Sequence, residues 1–256
     1  MKIIIFYIFF IFAILITFFK INRIENFESN NIFDKVYVIN LDHSKDRLKF
    51  ISNQLRKEGI TFQRYPAING GLLDKDKLIR EGKLTYEKMT KGAIGCYLSH
   101  YNIWKKELNN ERNIMVLEDD VILSKNLLKK INEIYKQIPR DWDIIYLGAS
   151  NIYGNKIDKN IVEPIKTKNG STFNTGMYGM LINKKALPIL IKDSIPIDNN
   201  IDQYIKNHLF QKLNVYFIVN PLITHNNELP SQRRILSGQK PLTSWFSDVQ
   251  SNINIV

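Results

Sequence analysis

Short unbroken apolar runs alternate along this chain with stretches in which apolar residues recur every three or four positions, and that alternation predicts strands joined by helices. Lys35 to Leu41 (KVYVINL) reads as a β-branched strand. Asp42-His43-Ser44 turns the chain into an amphipathic helix from Lys45 to Glu58, which Gly59 closes. Ile60 to Ile68 is a second predicted strand, ending at Asn69-Gly70-Gly71, and a short helix is expected at Asp74 to Glu81. Ile114 to Leu117 reads as a strand buried on both faces, as in the interior of a parallel sheet. A helix from Ser124 to Gln137 and a strand from Trp142 to Leu147 follow, the latter ending at Gly148-Ala149-Ser150, where small residues let a ligand approach. Asn151 to Ser171 is expected as an exposed loop. Thr175 to Asn183 resumes a strand, with a helix from Lys184 to Lys192 and a final strand from Val215 to Leu222. Strand and helix in turn predict an α/β fold.

The amino terminus departs from this pattern. Ile3 to Phe19 is apolar except for Thr17 and is flanked by Lys2, Lys20 and Arg23. As a helix it reaches about 25 Å, slightly short of a ~30 Å hydrocarbon core. A cleaved signal peptide is the competing reading, but the run is long for one and no small-x-small site follows, so a retained single-pass anchor is expected. The division is an anchor at 1–21, a short polar stem at 22–34, a catalytic domain at 35–230 and a tail at 231–256. Positive charge on both flanks leaves the orientation open.

Composition narrows the chemistry. Apolar residues make up 44% of the chain, which excludes intrinsic disorder. The net charge of +11 would suit a polyanion, yet the lysines are scattered and no zinc-finger or RNP spacing occurs, so no nucleic-acid partner is expected. A phosphate-bearing small molecule or an anionic membrane surface would welcome the same charge. With Cys96 as the single cysteine, no intrachain disulfide forms. The turn after the first strand is Asn40-Leu41-Asp42-His43-Ser44 and carries no G-x-G-x-x-G, which weakens a dinucleotide reading.

The most informative chemistry is Glu118-Asp119-Asp120, placed where the buried strand ends. Three carboxylates crowded at the carboxyl end of a strand repel one another unless a cation neutralises them, and hard oxygen donors suit Mg²⁺ or Mn²⁺. In an open α/β sheet that end faces the ligand crevice. The alternative is that Asp119 and Asp120 only cap the next helix. Upstream, TKGAIGCYLSHYNIWKKEL places Gly92 and Gly95 where a helix can pack closely, and His100 there reads as a hydrogen-bonded core residue. Asp198 and Asp202, four apart at a helix start, share a helix face.

Three stretches, KVYVINLDHSKDR, KGAIGCYLSHYNIW and MVLEDD, together resemble glycosyltransferase family 25, the family of bacterial lipooligosaccharide sugar transferases and animal procollagen galactosyltransferases. The resemblance continues through LINKKA and the P-x-D of Pro196 to Asp198. It implies a GT-A type Rossmann-like domain with a mixed, mainly parallel sheet, a UDP-sugar donor, Mn²⁺ or Mg²⁺, and inverting transfer of galactose or glucose. The acceptor would be a hydroxyl on a glycan, a lipid-linked saccharide or hydroxylysine. Carried over, it makes Asp120 the metal ligand, with Glu118 and His225 as further metal candidates. Asn40, Leu41, Arg47, Glu118 and Asp119 fall to the nucleotide, and Asp198 to the catalytic base. Gly179-Met180 stands where the family commonly has Ala-Tyr. In a eukaryotic-type host the catalytic domain would be lumenal. The rival reading is a membrane-anchored sugar- or nucleotide-binding protein of the same fold without turnover.

Overall fold

The structure, a computed structural model, describes residues 32–166 and 174–226, and the backbone of 253–255. The apolar run at 3–19, the stem up to 31, residues 167–173 and the tail at 227–252 lie outside the described residues. Among those described, no helix is long and apolar enough to cross a membrane. Residues 33–256 form one unit, separate from 1–32.

Its frame is a sheet in the order β11-β6-β7-β9-β5-β8-β3-β1-β2. The strands are β1 (Lys35–Asn40), β2 (Gln63–Pro66), β3 (Ile114–Glu118), β5 (Ile144–Gly148), β6 (Ile152–Asp158), β7 (Ile161–Pro164), β8 (Gly179–Ile182), β9 (Val215–Ile218) and β11 (Ile253–Ile255). A separate antiparallel ribbon joins β4 (Val121–Leu123) to β10 (Ile223–His225). Only β7 and β8 run against the other seven described strands of the sheet, so it is mixed and mainly parallel. The helices are α1 (Lys45–Lys57), α2 (Lys75–Arg80), α3 (Lys91–Glu107), α4 (Leu127–Tyr135), α5 (Leu187–Lys192) and α6 (Ile201–Tyr204).

The predicted strand at Ile114 to Leu117 is β3, and all four of its apolar residues are buried. It lies between β1, parallel, and β8, antiparallel, so its carboxyl end opens at the same edge as that of β1. α3 packs on this centre. Thr90 caps it by accepting from the Ala93 amide at 3.2 Å, and Ile94, Tyr97, Ile103 and Trp104 are buried. A Cβ at Gly95 would stand 2.4 Å from the carbonyl oxygen of Ile68, so glycine permits the close approach expected of this helix. Gly92 has open space instead. Ser99 fastens the contact by donating to the Gly95 carbonyl and accepting from the Ile68 amide.

Three expectations need correcting. Asn151 to Ser171 is not a loop throughout, because β6 and β7 pair as a hairpin within it and extend the sheet through β9. Its Asn- and Lys-rich text hid the strands, since only Ile152, Gly154, Ile161, Val162 and Pro164 are buried along them. The helix expected at Ser124 starts at Leu127, after Asn126 takes a left-handed conformation (φ 57°). Its first amides are met by the Glu58 carboxylate, at 3.1 Å from Asn126 and 2.7 Å from Leu127, so Asp119 and Asp120 are not its caps. Finally, the last strand expected at Val215 to Leu222 ends at Ile218, and a further strand, β10, follows it and carries His225.

Candidate active site

The parallel register of β1 and β3 pairs Ile39 with Glu118, which brings Asn40 level with Asp119 just beyond. The Asn40 amide donates to Asp119 Oδ2 at 2.6 Å and to the Ser44 carbonyl at 3.0 Å. In the first turn of α1, Arg47 places one guanidinium nitrogen 2.9 Å from Asp119 and the other 3.0 Å from Asp120. Leu41 holds the intervening turn, its carbonyl accepting from the Ser44 amide at 2.9 Å. The strand-turn-helix opening thus reaches the acidic triplet through Asn40 and Arg47.

The triplet is completed from the far side by β10. His225 Nε2 lies 3.5 Å from Asp120 Oδ2, and its ring sits 5.7 Å from that of Tyr178. Glycines make this possible. A Cβ at Gly148 would stand 1.8 Å from the Ile223 carbonyl oxygen, and one at Gly179 2.6 Å from the Ile223 side chain. The small residues after β5 were expected to admit a ligand, and at Gly148 it is the backbone of β10 that they admit.

The three acids are electrostatically unlike. Burial, reinforced by the neighbouring Asp120 charge, pushes Glu118 up to about 8. Burial also raises Asp119, with Arg47 and Asn40 pulling against it. For Asp120 burial acts in the same sense, but the His225 hydrogen bond and the Arg47 charge outweigh it and hold the carboxyl below its usual range. Asp120 is therefore the acid most firmly ionised. Its Oδ1 is buried without a hydrogen-bond partner among the described residues. An orphaned carboxylate oxygen on Asp120, with an imidazole 3.5 Å from its partner oxygen, offers donor types that suit a divalent ion.

Asp198 is placed elsewhere. Its carboxylate meets His208 Nε2 at 2.8 Å, and its charge is felt by Tyr97 and Tyr204. Asp202 has different neighbours. Its charge, with those of Glu118 and Asp120, bears on both Cys96 and Tyr178, and its Oδ2 lies 3.5 Å from the Gly176 amide. A helix face shared in sequence did not survive, because α6 begins only at Ile201 and Asp198 lies before it.

Sequence reasoning also passed over Arg64. From β2 its guanidinium donates to Asn40 Oδ1 at 2.9 Å and to the Asn40 carbonyl at 3.1 Å, and it pairs with Asp42. A basic residue in a strand paired with β1 was the available signal.

With this geometry in place, likeness to known proteins becomes informative. Residues 33–205 match the model of glycosyltransferase family 25 (LPS biosynthesis protein). A glycosyltransferase 25 family member of Aedes aegypti is 28% identical over 190 residues, 68% of this chain and 31% of the relative. Procollagen galactosyltransferase 1-B of Xenopus laevis is 26% identical, covering 85% of this chain and 40% of the relative. The inactive glycosyltransferase 25 family member 3 of Homo sapiens is 24% identical, covering 84% and 40%. The chain spans about a third to two-fifths of the length of these curated relatives.

Proposed function

The chain belongs to glycosyltransferase family 25, and from that membership we propose that it transfers a hexose, galactose or glucose, from a UDP-sugar to a hydroxyl acceptor with inversion at the anomeric carbon, on a GT-A type domain. The acceptor class is a glycan, a lipid-linked saccharide or hydroxylysine, the last in keeping with the galactosyltransferase named among its relatives. The observation that carries the reading is the convergence of Asn40, Arg47, Glu118, Asp119, Asp120 and His225 at the carboxyl ends of β1 and β3.

Asn40, Arg47 and Asp119 form the donor side, where a planar guanidinium suits phosphate oxygens. A divalent ion, Mn²⁺ or Mg²⁺, supplies positive charge to the departing diphosphate when bound at Asp120, Glu118 and His225. During transfer the acceptor oxygen bonds to the anomeric carbon as the bond to the diphosphate oxygen breaks, and the hydroxyl proton passes to a carboxylate. We assign that base to Asp202 instead of Asp198, because the Asp198 carboxylate is engaged by His208 at 2.8 Å, whereas Asp202 Oδ2 has only a long 3.5 Å contact from the Gly176 amide. Asp202→Asn is expected to lower kcat at least ~10²-fold with donor affinity nearly unchanged. Asp198→Asn should leave turnover close to normal, and the reverse pattern returns the role to Asp198.

The activity is tested by a screen of UDP-galactose, UDP-glucose and UDP-GlcNAc with Mn²⁺ and mass analysis of the products. Hexose transfer supports the reading. Donor binding without hydrolysis or transfer in every condition would favour the sugar- or nucleotide-binding alternative, which one inactive relative illustrates.

A further inference from the structure

Beneath the acidic triplet lies a cluster with different chemistry. Cys96 and His100 stand one helical turn apart on α3, and Glu118 ends the adjoining strand β3. One donor atom from each lies within 4.8 Å of the other two. His100 is 1% exposed, and neither of its ring nitrogens meets a hydrogen-bond partner among the described residues. A core histidine ordinarily spends at least one ring nitrogen on a neighbour. His100 spends neither, contrary to the sequence expectation for it.

We propose that Cys96, His100 and Glu118 form a transition-metal site of the Zn²⁺ class, which ties α3 to the end of β3. A thiolate, an imidazole and a carboxylate are the mixed donors that a borderline-soft ion prefers, unlike the oxygen-rich set at Asp120. Donors around a tetrahedral ion stand about 3.5 Å apart, so the cluster closes on one with shifts of about an ångström. Three protein ligands leave a fourth position. Cys96 and Glu118 are only half-buried, whereas His100 is enclosed. Binding converts the thiol to a thiolate and releases its proton to solvent. Glu118 belongs also to the acidic triplet, whereas Cys96 and His100 lie outside it, so variants at those two residues probe this site apart from the transfer chemistry.

The single cysteine makes the test specific. Metal-free full-length protein is titrated with Co²⁺, a spectroscopic substitute for Zn²⁺. A near-ultraviolet sulfur-to-cobalt charge-transfer band with intense visible tetrahedral bands is expected at one equivalent. The band should vanish in Cys96→Ser and weaken at least ~10-fold in apparent affinity in His100→Gln. As a second measurement, Zn²⁺ should slow alkylation of Cys96 in the wild-type chain but not in His100→Gln, which covers the case of a Cys96→Ser chain that does not fold. Co²⁺ binding that shows only weak octahedral bands would place the ion on carboxylates alone and overturn the proposal. Alkylation indifferent to Zn²⁺ in the wild-type chain would overturn it equally.

Discussion

Arg47 controls the charge balance at the end of β3, since its two nitrogens reach two of three crowded carboxylates. All three side chains are at most 14% exposed, so these pairs are shielded from water and removing the cation leaves buried negative charge behind. Arg47→Met is expected to lower unfolding free energy by about 3 kcal/mol in metal-free buffer. If a divalent ion binds at Asp120 as proposed, its charge would replace the lost cation, and added Mn²⁺ should recover part of that loss in the variant. Denaturant titration with and without the ion checks both statements. Asp120→Asn keeps side-chain volume while removing the acid most firmly ionised, and should abolish transfer while leaving the far-ultraviolet circular dichroism unchanged. Full activity of that variant, or of wild type in excess chelator, would contradict the proposed role.

Among the elements, β10 has the most exacting position. It crosses β5 and β8 at Gly148 and Gly179, where any side chain would strike Ile223, and it carries His225 to Asp120. Gly148→Ala forces the β10 backbone away, because its Cβ would meet a carbonyl oxygen that has no rotamer to change. Destabilisation of about 1–3 kcal/mol is expected from such overpacking, together with weaker Mn²⁺ binding as His225 moves. Thermal unfolding and metal titration of the same variant measure the two effects. Unchanged metal affinity would detach His225 from the ion.

At the scale of the whole molecule, the sheet and the apolar amino-terminal run are separate matters. Ile3 to Phe19 carries no charged residue, and lysine and arginine flank it. We expect the full chain to sediment with membranes after salt washing, and a chain beginning near residue 31 to remain in solution with its circular dichroism intact. Finding the full chain soluble after a mild salt wash would contradict the anchor.

The buried strand Ile114 to Leu117, the opening strand-turn-helix and the placing of the acids at a strand end were all legible in the sequence. Each is a local consequence of residue type: an unbroken apolar run must be covered on both faces, and charge must stop where burial stops. Hairpin β6–β7 and strand β10 were not legible, because their pairing partners are distant and few of their residues are buried enough to leave a pattern. Likewise, four-residue spacing made Asp198 and Asp202 look equivalent, and only the late start of α6 and the contact with His208 separated them. The sequence by itself determined which residues carry charge and where strands carrying them end. Which of those charges meet was decided by register and by close backbone approach at Gly95 and Gly148, long-range steric facts that no local spacing encodes.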